Sequence, residues 1–314
     1  MRWPWNGERP KQEPAPIDAA AIVRRARRLR FRVRPEAVAL LAGAYHGARP
    51  GVGLTFAELR AYEPGDDVRH LDWNVTARQG KPYVRRFVEE RSLTLWLFVD
   101  VSASLRFGPD GRTKADRAAQ AAALLATAAI QNGDRVGLAM VSDRVEAELP
   151  PGGGPRHLAR LVRALVATPA ASRRTNLAAA LPRLRQPARR ALLVVLSDFL
   201  TPEPAAPWRQ AARRHDVVAL RFVEPREDAL PDAGLIDLED AELGTRRTVD
   251  SRSGRVRADY AKAAEARRIA YRSWCAGAGL TGHEVSTAED PIGALIRIFT
   301  GRSARRGGAG LDHA

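Results

Sequence analysis

The sequence predicts an α/β fold built on a doubly wound, mostly parallel sheet, preceded by a small β-rich segment and N-terminal helices. Three observations lead there. From residue 93 onward, short apolar runs alternate with longer helical patterns, as strands joined by crossover helices do. Two of the runs, 93–99 and 191–196, are dominated by Leu, Val, Phe and Trp and hold no Gly or Pro, as expected of strands covered on both faces. Each run leads into a carboxylate, Asp100 or Asp198, and ligands of open α/β sheets bind at the carboxyl ends of the strands.

Taken in order, residues 1–16 are polar and Pro-rich and read as a disordered lead-in. Residues 17–50 hold the N-terminal helices. The first carries a dense Arg run from Arg24 to Arg34, and the second, 35–46, has Pro35 in its first turn, where a missing N–H does no harm. Residues 51–91 form the β-rich segment. Positions 54–62 alternate partly as a strand, Glu63-Pro64-Gly65-Asp66-Asp67 is a turn signal, and 68–73 and 82–88 read as short strands around a loop holding Gln79-Gly80-Lys81-Pro82.

The main unit spans 92–300. After its first strand come a strong Ala/Leu helix at 114–131 closed by Asn132-Gly133, a strand at 135–142, and a hairpin partner at 145–149 on the sheet edge. A Pro/Gly loop at 150–155 leads to a helix ending near Ala167. Residues 175–185 are helical, with Pro182 cutting in, followed by the second buried strand, a helix around Trp208 and a strand at 217–223. The stretch 235–250 breaks the alternation and reads as an extra hairpin. A long helix at 254–277, a short strand at 284–286 and a helix at 291–299 complete the unit, and 301–314 is a flexible tail. There is no internal repeat.

A chain of 314 residues with 45% hydrophobic content can bury an ample core. The net charge of +15 admits a nucleic-acid or anionic-membrane partner. Arg carries nearly all of it, together with abundant Ala, Gly and Pro, which fits a GC-rich coding bias and solvated helix faces. The single Cys275 excludes an internal disulfide and fits a reducing compartment. With no secretory signal pattern and no apolar stretch long enough to span a bilayer, a soluble cytoplasmic protein is expected.

The chemistry gathers at Asp100-Val101-Ser102-Ala103-Ser104, one carboxylate and two hydroxyls where a strand becomes a loop. Hard oxygen donors at that density suit a small hard cation such as Mg²⁺. Thr175, in a loop before a helical stretch, and Asp198 add two more oxygens, and parallel strands bring them to the same edge. The plainer role for Asp100 or Ser102 is a helix cap. Glu63, Asp66, Asp67 and Asp72, beside Arg69 and His70, form an acidic cluster. Such residues serve as turn formers and local ion pairs, or as a contact surface for a partner.

Enzymatic motifs are lacking. A phosphatase of the haloacid-dehalogenase type needs a second Asp two residues after the first, and here that position is Ser102, which cannot transfer protons near neutral pH. Gly152-Gly153-Gly154 lacks the Gly-Lys-Ser/Thr ending of a phosphate loop. There is no Gly-x-Ser-x-Gly elbow, and the histidines have no zinc-like spacing.

Asp-x-Ser-x-Ser, then Thr, then Asp is the order of a metal-ion-dependent adhesion site, and residues 93 to about 299 resemble a von Willebrand factor A domain. Residues 54–60 (Leu-Thr-Phe-Ala-Glu-Leu-Arg), 62–69, Asp72-Trp73 and Val84-Arg85 resemble the signature of domain of unknown function 58. That bacterial family couples such a segment to a von Willebrand factor A domain, so the resemblance covers 53 to about 299. Many relatives carry upstream transmembrane helices, and no such stretch occurs in this sequence.

The resemblance implies that Ser102, Ser104 and Thr175 ligate Mg²⁺ through their hydroxyls, with Asp100 and Asp198 holding coordinated waters; Mn²⁺ or Ca²⁺ are alternatives. It implies a non-enzymatic, Mg²⁺-dependent protein–protein interaction module, a chaperone-like adaptor that presents a client protein to a MoxR-type AAA+ ATPase. Glu63, Asp66, Asp67, Arg69 and Asp72 are the candidate partner contacts. Two other functions stay open: a metal-dependent phosphohydrolase using Asp100 as nucleophile, and an Arg-rich binder of nucleic acid or membrane surface through residues 24–34.

Overall fold

The computed structural model describes residues 35–47, 54–63, 71–89, 93–109, 113–168, 172–185 and 190–308. The Arg24 to Arg34 run and the turn containing Asp66, Asp67 and Arg69 lie outside the described residues. Helix α1 (Pro35–Gly47) is followed by β1 (Leu54–Ala61), the short helix α2 (Trp73–Gln79) and β2 (Tyr83–Glu89). β1 and β2 pair antiparallel as a separate two-stranded ribbon. Of the expected strand at 68–73, residues 68–70 lie outside the described residues, Leu71 makes an isolated bridge to Val84, and Trp73 begins α2. Asp72 caps that helix, its Oδ1 accepting the Val75 N–H at 3.2 Å.

The apolar runs then build one six-stranded sheet. Its strands are β3 (Thr94–Asp100), β4 (Arg135–Val141), β5 (Val145–Gly152), β6 (Leu192–Ser197), β7 (Asp216–Val223) and, after the separate hairpin β8 (Leu235–Glu239) and β9 (Arg246–Asp250), β10 (Thr281–Ser286). The spatial order is β10-β7-β6-β3-β4-β5, parallel throughout except for β5, which runs antiparallel on the edge. The chain winds outward from β3 in both directions, through β4 on one side and β6 on the other. The carboxyl end of β3 therefore sits at a topological switch point, where two connections diverge and leave a crevice.

Alternation along β3 divides the core. Leu95, Leu97 and Val99 face one side, with α1, α3 (Lys114–Gln131), α4 (Gly154–Ala167) and α7 (Pro291–Gly308). Trp96 and Phe98 face the other, where α5 (Ala205–Arg214) and α6 (Gly254–Ala278) supply Trp208, Tyr271 and Cys275. Helix α3 begins with a capping box: Thr113 Oγ1 accepts the Asp116 N–H, and Asp116 accepts the Thr113 N–H. Its alanines let it lie close on the sheet. Leu41 and Tyr45 of α1 are fully buried in the same layer, Tyr45 lying 5.8 Å from the ring of Phe299.

Three expected boundaries shift. Strand β5 runs on through Pro150-Pro151 to Gly152, because an edge strand tolerates residues without an N–H. Residues 177–185 form a 3₁₀ segment around Pro182. Helix α7 continues to Gly308, held there by a buried ion pair between Arg302 and Asp216 at 2.7 Å. Among the described residues no helix is long and apolar enough to cross a membrane.

Gly137 of β4 lies opposite Trp96 of β3, and a Cβ there would fall 2.7 Å from the indole ring. Gly137→Ala should lower stability by about 1–3 kcal/mol, read as a reduced midpoint in urea unfolding with an unchanged slope.

Candidate metal centre

Asp100 closes β3 with 1% of its surface exposed, and Ser102 and Ser104, on the turn that follows, are also buried. Asp100 Oδ1 accepts the Ser102 N–H at 2.8 Å, and Oδ2 accepts the Ser197 hydroxyl at 2.6 Å. The Ser102 and Ser104 hydroxyl oxygens stand 3.2 Å apart. β3 and β6 pair in parallel with Val99 opposite Leu196, so Asp198, just past β6, comes beside Asp100. Phe199 next to it adopts φ 49°, a conformation bulky residues rarely take. Its ring packs against Tyr271 and Trp274 at 5.2 and 5.3 Å, fixing the turn that holds Asp198.

The Thr175 loop is fastened from three directions. Arg173 O accepts the Ala103 N–H at 3.4 Å, and Ser142 O accepts the Asn176 N–H at 2.8 Å. The buried Glu203 carboxylate caps the 3₁₀ segment, taking the N–H groups of Leu177 (2.6 Å) and Ala178 (3.3 Å) and the Trp208 indole N–H (3.1 Å). Thr175 Oγ1 donates to Glu242 Oε1 at 2.9 Å. All five residues expected around a cation thus gather at one sheet edge. Glu63 is exposed, and Asp72 faces inward onto α2.

Several residues that the sequence did not single out complete the site. Lys114, fully buried, donates from Nζ to Asp198 at 2.8 Å and to Glu227 at 2.7 Å. Burial pulls its ammonium down, but Asp198 and then Glu227 outweigh that and hold its pKa above the ordinary value. Burial, then repulsion from Asp198, pushes the Asp100 carboxyl up to about 7. Burial also raises Glu227. Lys114 thus bridges Asp198 and Glu227, while Asp100 relies on the neutral donors Ser197 and the Ser102 N–H. The signal for Lys114 was present: a basic residue at the first position of a helix opposes the helix dipole. Ser197 was legible as a lone hydroxyl ending an apolar strand, whereas Glu227 and Glu242 arrive from distant turns with no local mark.

Among the described residues no three His, Cys, Asp or Glu side chains converge on a metal position, so a cation here would need hydroxyl oxygens as well as carboxylates. The Ser102 and Ser104 hydroxyls, in hydrogen-bond contact at 3.2 Å, are close enough together to serve one small hard ion such as Mg²⁺. An open cleft of about 520 Å³, bordered by Arg106, Phe107 and Arg173, adjoins this edge.

A doubly wound sheet of this strand order, with hydroxyls and carboxylates at the switch point, defines a von Willebrand factor A-like domain. More particularly, the chain belongs to the family described as Protein of unknown function DUF58, whose model matches residues 58–270. It is 36% identical over 301 residues to an uncharacterized protein of Mycobacterium tuberculosis, covering 95% of this chain and 94% of that one. Among solved structures it is similar to an aerotolerance-related membrane protein from Bacteroides fragilis, at 13% identity, 68% of this chain, 99% of that chain and TM-score 0.46. It is also similar to the SpRpn10 VWA domain, at 9% identity, 66% of this chain, 94% of that chain and TM-score 0.38.

Lys114→Met leaves the buried Asp198 and the half-buried Glu227 without their cation and should cost about 3–5 kcal/mol in chemical denaturation. Combining it with Asp198→Asn should recover part of that loss; strictly additive losses would show that the two groups are not coupled.

Proposed function

We propose that this chain is a non-enzymatic, Mg²⁺-dependent protein-binding module. The observation that carries the reading is the buried pair of hydroxyls, Ser102 and Ser104, facing each other beside a buried carboxylate at the switch point. Ser102, Ser104 and Thr175 would hold the ion, and Asp100 and Asp198 would anchor its waters; the same hard oxygens would accept Mn²⁺ or Ca²⁺. Bound there, the ion supplies a coordination position for a carboxylate oxygen of a partner. Ser197 and the Ser102 N–H fix the Asp100 carboxylate, Lys114 fixes Asp198, and Glu203 fixes the start of the segment that follows Thr175. Arg106 on the adjoining cleft would steer the charge of an acidic partner segment, Arg173 there being paired with Glu239.

The family resemblance extends the proposal to a partner of the MoxR AAA+ ATPase class, with the chain acting in the cytoplasm as an adaptor for a client protein. A phosphohydrolase using Asp100 is less well supported. The residue two positions after Asp100 is Ser102, which cannot transfer protons near neutral pH.

A tagged chain incubated with extract of its own cells should retain an AAA+ ATPase with Mg²⁺ and release it with EDTA, as identified by mass spectrometry. Asp100→Ala should bind at least tenfold less under the same conditions while keeping a native circular dichroism spectrum, an effect of the size seen on losing a metal's supporting residues. Equal retention by Asp100→Ala with and without Mg²⁺ would end the proposal.

A further inference from the structure

The hairpin β8–β9 stands outside the main sheet, between β7 and α6, yet its tip lies against the metal centre. Asp240 orders the tip by accepting the N–H groups of Glu242 and Leu243, both at 2.9 Å, and Gly244 closes it at φ 69°. Arg173, in the Thr175 loop, ties the hairpin down, donating to Ala241 O and to Glu239, each at 2.9 Å. The result is one carboxylate delivered to one place. Glu242 Oε1 accepts the Thr175 hydroxyl at 2.9 Å and the Thr201 hydroxyl at 2.6 Å. It thereby joins the loop carrying Thr175 to the turn following Asp198.

The hydrogen bonds divide the carboxylate. Oε1 accepts both threonine hydroxyls, which leaves Oε2 as the oxygen for a cation beside Thr175. A threonine that donates its proton to a carboxylate keeps its lone pairs for a cation, so Thr175 Oγ1 and Glu242 Oε2 can serve one ion side by side.

We propose that Glu242 is an internal ligand of the cation, occupying the coordination position that an acidic side chain of a partner would take. The partner then binds by exchange, displacing the hairpin tip. Specificity follows from that competition, since a lone carboxylate offers no advantage over one already tethered, and only a partner that also engages the adjoining cleft displaces it. The inference rests on the metal reading above and adds to it a named residue and a mode of entry.

Mn²⁺, which shares the preference for octahedral oxygen, is a suitable probe. Its affinity and its number of coordinated waters can be read on the full chain by titration calorimetry and water-proton relaxation. Glu242→Gln keeps a carbonyl oxygen for both threonines but is a far poorer ligand. It should weaken Mn²⁺ binding roughly tenfold and add one coordinated water. Acetate should remove that extra water in Glu242→Gln and leave the wild type unchanged. The same water count in both proteins at saturating Mn²⁺ would overturn the proposal, even with altered affinity, because Glu242 would then only orient Thr175. Wild-type binding no stronger than that of Asp100→Ala would overturn the metal reading, and this inference with it.

Discussion

Two carboxylates buried side by side at the end of an apolar sheet are the constraint on which this structure turns. Parallel pairing of β3 with β6 leaves Asp100 and Asp198 no room to separate, and helices on both faces keep water away. Burial and mutual repulsion together hold the Asp100 carboxyl near pH 7. The surrounding architecture answers that energetic problem. A serine at the end of β6, a backbone N–H of the turn after β3 and a lysine at the head of α3 each meet one of the oxygens. The capping box that starts α3 fixes where the lysine stands, so local helix chemistry and site electrostatics are linked through one residue.

The strands were legible because their signal is local and redundant. A run such as Leu192–Ser197 holds only residues suited to a strand covered on both faces, and its length and flanks leave little else for it to be. The carboxyl-end placement of Asp100, Ser102, Ser104, Thr175 and Asp198 followed from topology, because parallel strands align their ends without any knowledge of side-chain contacts. What escaped the sequence was tertiary. Glu227 and Glu203 look like ordinary surface glutamates until long-range packing buries them. Residues 301–308 read as a tail because nothing local prolongs a helix there; the pairing of Arg302 with Asp216 does. Near Trp73 the local period is ambiguous: Asp72, read with its acidic neighbours, stands before a short helix and caps it.

The fold and its additions divide the labour. The doubly wound sheet supplies a rigid edge and a crevice, properties shared by many proteins of unrelated activity. Three further elements meet that edge: the turn at Phe199, the carboxylate cap of Glu203 and the hairpin between β7 and α6. Each reaches a different loop of the same centre. The centre is therefore held by elements far apart in sequence, and substitutions well outside the Asp-x-Ser-x-Ser motif can disturb it.

The prolines in β5 bear on how copies of this chain can meet. An edge strand ordinarily offers a row of amide hydrogens to any other strand, the usual route to sheet extension and fibrous aggregation. Amides along a strand point alternately to its two sides, so one of Pro150 and Pro151 removes a donor from that outward row. Continuous intermolecular strand pairing is interrupted there. Association across that border therefore leans on side chains, at the end of the sheet opposite to Asp100 and Asp198.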